Sequence, residues 1–315
     1  MRKTWKVAFC GLGSIGSRHL RDLQTVFSRR EDDYTVDLIR ADKSRPVPEE
    51  FRGVIREVFS YEDQIDSDYD IIFVTNPTAE HYQTISRYHT HTRSMFIEKP
   101  IYESDVHGID PLKDSDCICY VACPIRYKQL IQYLRTNVPK ESVLAASAVC
   151  SSYLPEWRKG VDYRKLYAAK KSMGGGVSLD LIHEIDYLTY LFGMPEEIHN
   201  IQAHVSPLEI DSDDVSVYIA RLKNMVFQVY LDYFGRKDIR TLTLFTTEDT
   251  IQADLLANTI TFHNPPRTIS FEEVRDDYQI AEIEQFLRIV EQGEENENDL
   301  QHAYAMLKLT LGKTE

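Results

Sequence analysis

Lys6-Val7-Ala8-Phe9-Cys10-Gly11-Leu12-Gly13-Ser14-Ile15-Gly16 decides the fold of this chain: a short apolar run opens directly into Gly-x-Gly-x-x-Gly and then into a helical pattern. Gly11 permits the tight turn after the strand, Gly13 lets the backbone approach a pyrophosphate, and Gly16 lets the helix pack close to the strand. The free N–H groups of the helix start, at Ser14, Ile15 and Gly16, then face the phosphates from the positive end of the helix dipole. Three glycines alone say little, but here Leu20, Leu23, Val26 and Phe27 follow at helical spacing, so the motif stands between a strand and a helix.

Outward from that motif, the first 120 or so residues alternate strand-like and helix-like segments. The strand pattern covers 5–10, 35–40, 54–59, 71–75, 95–98 and 117–122, with helices over 15–27 and 79–89. This is the rhythm of a doubly wound parallel sheet, an α/β Rossmann domain expected over 1–122. Ligands in such sheets bind beyond the carboxyl ends of the strands, which places Thr75, Asn76, Pro77 and Lys99 on the cofactor side, with His81 and Glu98 beside them. From about 143 the pattern changes to alternating segments at 143–151, 198–205, 214–222, 225–234, 240–247, 250–255 and 258–263. Residues 123–315 are therefore expected to form an α+β domain with an open, mainly antiparallel sheet. Its helices are expected at 126–136, 178–192, 278–291 and 300–311, and the acidic stretch 294–299 reads as a solvated turn.

Composition narrows the function classes. With 43% hydrophobic and 27% charged residues over 315, the chain is of globular type, and a net charge of −14 offers no basic field to nucleic acid. No apolar run approaches the roughly twenty residues that span a bilayer, and the basic start is followed by too short an apolar segment for a signal peptide, so a cytoplasmic protein is expected. The five cysteines fit reduced, buried thiols, and the Cys117-x-Cys119-x3-Cys123 spacing matches no common zinc pattern, so no metal is expected.

Three stretches carry possible chemistry. Glu98-Lys99-Pro100 ends a strand, and a lysine held there can hydrogen-bond a substrate hydroxyl beside a nicotinamide; a surface lysine in a turn would look the same. Gly174-Gly175-Gly176 opens a helix carrying Asp180, His183 and Asp186 at three-residue steps, so that either carboxylate reaches the imidazole face; a helix N-terminus with a partly buried histidine is the bland alternative. The loop from Tyr153 to Tyr167 is dense in aromatics and charge. Tyr153, Trp157 and Tyr163 offer faces for a sugar ring, and Arg158 and Asp162 offer partners for its polar groups.

Taken in order, Gly-x-Gly-x-x-Gly with Arg18-His19, Glu98-Lys99-Pro100 and Gly-Gly-Gly-x-x-x-Asp with His-x-x-Asp resemble the Gfo/Idh/MocA family of NAD(P)-dependent oxidoreductases over nearly the whole chain. The resemblance implies that Lys99 positions the reacting hydroxyl, His183 is the general acid or base, and Asp180 orients substrate. It also implies that Arg126 lies where the chain crosses into a substrate-binding domain, and that the protein is a homo-oligomer, dimer or tetramer. One departure stands out: the family commonly has four residues from aspartate to histidine, whereas here the step is three, which opens the alternative that Asp186 supports His183. The wording around Tyr153–Leu188 resembles a subgroup linked to bacterial surface sugars of the sialic-acid type, implying a sugar or nucleotide-activated sugar as substrate.

Cofactor choice leans to NADP over NAD. Asp37 stands at the distance of a ribose-binding acid but inside its strand, whereas Arg40 stands at the strand terminus, near Lys43, Ser44 and Arg45; Asp42 argues the other way, and solvated loop charges would look the same. Two further readings remain open: a non-catalytic dinucleotide-binding sensor, and an epimerase or glycosidase that keeps its cofactor as an internal redox relay.

Overall fold

The computed structural model describes residues 3–66, 68–109 and 115–314. In chain order, the first elements are β1 (Thr4–Cys10), α1 (Ser14–Arg30), β2 (Asp33–Ile39), β3 (Ile55–Phe59), β4 (Tyr69–Val74), α2 (His81–Tyr88), β5 (Thr92–Ile97) and β6 (Ile118–Val121). The rest of the chain contributes α3 (Gln129–Asn137), β7 (Val143–Tyr153), α4 (Val177–Asp180), α5 (His183–Phe192), β8 (Glu197–Ala203), β9 (Val215–Arg221) and β10 (Val226–Asp232). It continues with β11 (Phe234–Thr246), β12 (Thr250–Asp254), β13 (Thr259–His263), β14 (Pro266–Ser270), α6 (Arg275–Gln292) and α7 (Leu300–Thr310).

Strands β1 to β6 make one parallel sheet in the order β3-β2-β1-β4-β5-β6. Its central strands read as apolar runs because both faces are covered: Val7, Phe9, Ile71, Phe73 and Phe96 are all fully buried. This Rossmann unit comprises residues 1–102, 106–122 and 279–304. A division at 122/123 assigns the last of these segments to the second domain, whereas Ile280, Ile283, Phe286 and Leu287 of α6 pack in the Rossmann core with Phe27, Phe96 and Tyr120. The spacing of those apolar residues gives α6 its buried stripe, but periodicity does not say which core the stripe meets.

The stretch 294–299 is likewise more than a solvated turn. Asn298 is buried, its carbonyl accepts from Val121 N–H at 2.8 Å, and Asn296 donates to the Cys119 carbonyl at 2.8 Å. These contacts cover the edge of β6, where unpaired backbone groups would otherwise be left.

The second unit, residues 103–105, 123–278 and 305–315, holds an eight-stranded sheet ordered β14-β13-β12-β11-β7-β10-β9-β8. All its pairings are antiparallel except β7 with β10. Ala146 and Ala148 on β7 join Leu231, Leu242 and Leu244 on the buried face, and their small side chains let α5 pack there with Ile185 and Leu188. Two expectations for this unit need correction. Residues 124–127 form a tight 3-10 turn before α3, because Pro124 sits in its first turn, and the 178–192 helix is broken at Leu181-Ile182 into α4 and α5. Strand β14 escaped the sequence pattern because its exposed polar and basic residues do not alternate with an apolar set. No helix among the described residues is long and apolar enough to cross a membrane.

Candidate active site

The carboxyl ends of β1, β4 and β5 lie side by side, and each delivers one predicted segment: Gly11–Gly16, Thr75–Pro77 and Glu98–Lys99. Gly11 has φ +91°, and a side chain there would press on the Asn76 backbone at 3.0 Å. A Cβ on Gly16 would lie 2.7 Å from Thr75 Oγ1, so this glycine is required by packing. Gly13, the N-cap of α1, is different: nothing lies within 4 Å of the space its side chain would fill. Helix α1 carries no acidic residue in its first turn and no side-chain cap, which leaves the amides of Ser14, Ile15 and Gly16 to an anion.

Thr75 closes this edge by donating to the Gly11 carbonyl at 2.8 Å. The Asn76 amide donates to Thr84 Oγ1 at 2.7 Å and to Glu80 at 3.1 Å, while its buried Oδ1 meets no hydrogen-bond partner among the described residues. An orphaned buried acceptor beside an open glycine cradle suits a dinucleotide that brings its own donors. Pro77 is exposed at the same edge. His81, expected as a cofactor contact, is spent on the backbone: Nε2 lies 3.1 Å from the Asn76 carbonyl and Nδ1 lies 3.1 Å from that of Pro100. Burial pushes its imidazole below its ordinary pKa, and the ring braces the loop after β4 against the loop after β5.

Glu98 is buried, and its carboxylate receives two bonds. His19 Nε2 of α1 lies 2.5 Å from Oε1, and the Lys99 amide donates to Oε2 at 3.2 Å. Burial acts to raise the Glu98 pKa, but the hydrogen bond and charge of His19 outweigh it and hold the carboxyl below its usual range. Helix α1 thus grips the backbone that carries Lys99. In the sequence His19 is part of the glycine motif, and its pairing with Glu98 has no signal beyond the two motifs occurring together.

Asp37 lies inside β2, as its place in the sequence pattern implies. It is 1% exposed in mid-strand, where Arg56 binds it at 2.5 and 2.9 Å and Tyr69 at 2.7 Å. Arg40 follows the end of β2 and its guanidinium donates to the Arg45 carbonyl, while Lys43 is paired with Asp63 at 2.9 Å and Asp42 accepts from Ser44.

The second unit holds the other candidate residues. Gly176, at φ +128°, begins α4, and Asp213 occupies the space its side chain would need. The Asp213 carboxylate accepts from Ser178 N–H at 2.9 Å and its carbonyl accepts from Val177 N–H at 3.0 Å. The break after α4 puts His183 in the first turn of α5, so Asp180 and His183 do not share one continuous helix.

The two carboxylates considered for His183 each have described partners. Asp180 accepts from Tyr167 and, at 3.1 Å, from Tyr233. Asp186 forms a buried two-point ion pair with Arg126 at 2.6 and 2.9 Å, and accepts from the Cys123 thiol at 3.2 Å. Arg126 and Asp186, both expected at substrate, are therefore bound first to each other. Next to His183, Glu184 is fully buried against Arg240 at 2.6 Å, a pairing no sequence pattern announced.

In the aromatic loop, Trp157 stands edge-on to Tyr233 with ring centroids 5.1 Å apart, and its indole donates to Ser152 at 2.9 Å. Arg236 covers the Tyr153 ring at 3.7 Å. Arg158 is exposed, whereas Asp162 caps a turn through Arg164 and the Tyr163 hydroxyl accepts from Glu209 N–H at 3.1 Å. Lys99 belongs to the first unit and His183 to the second.

Residues 5–121 match the oxidoreductase family with an NAD-binding Rossmann fold, GFO_IDH_MocA. The match spans β1 to β6 and ends before the eight-stranded sheet. The fold of the whole chain is shared with solved structures of low sequence identity. Levoglucosan dehydrogenase in complex with NADH and L-sorbose superposes with a TM-score of 0.82 at 16% identity, over 99% of this chain and 96% of that one. UDP-N-acetylglucosamine 3-dehydrogenase GnnA from Acidithiobacillus ferrooxidans gives 0.76 at 17% identity, over 98% and 96%. GenD2 from gentamicin A biosynthesis, in complex with NAD, gives 0.77 at 16%, over 99% and 94%. At such identities the likeness is one of fold. No curated protein matches the chain by sequence.

Proposed function

We propose that this chain is an NAD(P)-dependent dehydrogenase or reductase that moves hydride between the nicotinamide and a hydroxyl or keto carbon of a sugar or nucleotide-activated sugar. The observation that carries this reading is the open glycine cradle at Gly13 on the same sheet edge as a lysine whose backbone is fixed through Glu98 and His19. Gly13, the first-turn amides of α1 and Asn76 would hold a dinucleotide, which supplies the hydride acceptor or donor. In the oxidative direction Lys99 hydrogen-bonds the reacting hydroxyl and stabilises charge on its oxygen, and His183 takes its proton. The aromatic loop receives the sugar, a role supported by its exposed Trp157 and Arg158 and by the sugar-dehydrogenase names of structural neighbours.

Arg40 favours NADP, since Asp37 is tied to Arg56 and Tyr69 and does not serve a ribose. Homo-oligomerisation is supported by exposed Val226 and Phe245, which flank Ala145 on one row of the open sheet. The deciding experiment follows absorbance at 340 nm with NAD or NADP and a panel of free and nucleotide-linked sugars. Lys99→Ala and His183→Ala are each expected to lower kcat by about 10²–10⁴ with cofactor affinity kept within about threefold. Full turnover in either variant would remove that residue from the reaction.

A further inference from the structure

The carboxylate of Asp180 is 7% exposed, and each of its oxygens accepts a phenol: Tyr167 at Oδ1 and Tyr233 at Oδ2. The two phenols differ. Tyr233 is fully buried, and burial together with the nearby Asp180 charge pushes its pKa well up, so it stays protonated and keeps donating. Tyr167, on the turn Tyr167–Ala169, is 37% exposed. A phenol has one proton and two lone pairs. With its proton given to Asp180, the Tyr167 oxygen has only acceptor capacity left to offer.

We infer that Tyr167 is a specificity-determining residue which reads a hydrogen-bond donor on the substrate, a sugar hydroxyl or amide N–H, with Asp180 as the positioning residue behind it. The inference rests on the reading of the Tyr153–Tyr167 loop as the sugar face. It assigns to Tyr167 a contact that the motif pattern gives to Asp180. A carbonyl or ether oxygen at the same place would set lone pair against lone pair, so the site selects against a keto, deoxy or O-methyl group there. Trp157 stands next to Tyr233, and the only other tryptophan, Trp5, is fully buried in the Rossmann unit, so Trp157 emission reports on ligands at this face.

The test is a fluorescence titration with glucose, galactose, N-acetylglucosamine and their UDP-linked forms, followed by the monodeoxy and O-methyl derivatives of the tightest binder. In the wild type at least one derivative is expected to bind about ten- to a hundredfold more weakly than its parent. Tyr167→Phe is expected to bind the parent as weakly as that derivative and to lose the discrimination. Tyr233→Phe also removes one partner of Asp180 but is expected to keep the ratio, which separates reading of a donor from mere support of the carboxylate. Both variants are checked for a wild-type thermal transition; if Tyr167→Phe fails to fold, Tyr167→His, which restores a ring acceptor, takes its place and is expected to keep part of the ratio. An unchanged ratio in Tyr167→Phe, no ratio in Tyr167→His, or no quenching by any sugar overturns the assignment. Turnover at 340 nm is read separately: binding and discrimination without turnover would sink the dehydrogenase reading and leave the Tyr167 assignment standing.

Discussion

The nucleotide edge of the first unit and the start of α4 and α5 in the second are both announced by glycines, yet they were legible to different depths. At the nucleotide edge the functional surface is backbone: an open Gly13, a tight Gly16 and the first-turn amides of α1. Spacing along the chain specifies such a surface almost completely. At α4 and α5 the candidate groups are side chains, and what each can do depends on distant partners: Tyr233 for Asp180, Arg126 for Asp186, Arg240 for Glu184. A backbone site is written locally, whereas a side-chain site is finished by the tertiary fold.

The sharpest way to break this comparison is at Asp186. If it is held by Arg126 as a structural partner, Asp186→Ala removes the two-point carboxylate from a buried guanidinium and is expected to cost about 3–5 kcal/mol, lowering Tm by roughly 6–20 °C. Unchanged melting with lost turnover would instead return Asp186 to the substrate. Gly16→Val comes next, because its side chain would press on Thr75 Oγ1 and the Gly11 carbonyl, at 2.7 and 2.9 Å from Cβ. A loss of about 1–3 kcal/mol is expected by chemical denaturation, and a neutral result would mean that this loop shifts freely. The smallest effect belongs to Arg40→Ala, expected to reduce the NADP-to-NAD ratio of kcat/KM by about tenfold through loss of one charge-assisted contact, near 1.4 kcal/mol. A ratio unmoved by this change would take the cofactor choice away from Arg40.

Much of the fold was readable. The parallel sheet follows from the alternation of strand and helix patterns, and the change to an antiparallel sheet from the loss of intervening helices. The partner of α6 was not readable, since a stripe of Ile280, Ile283 and Leu287 fits any apolar core. Nor was the helix break at Leu181-Ile182, because both residues are apolar and in step with the helical period. The three-residue step from Asp180 to His183 was the one visible sign of it. Asn296 and Asn298 were hidden for a related reason: an acidic, polar run looks solvated until a strand edge is found beside it.

The proposed dinucleotide site stands or falls with the open backbone cradle at Gly13. Direct titration of NADH and NADPH into wild type and Gly13→Val tests it, because the extended backbone at Gly13 and the empty space around it let valine fit without disturbing the fold. An unchanged melting transition and a dinucleotide affinity at least about a hundredfold weaker, near 2.7 kcal/mol, are expected. Wild-type affinity in the folded variant would contradict the proposed site.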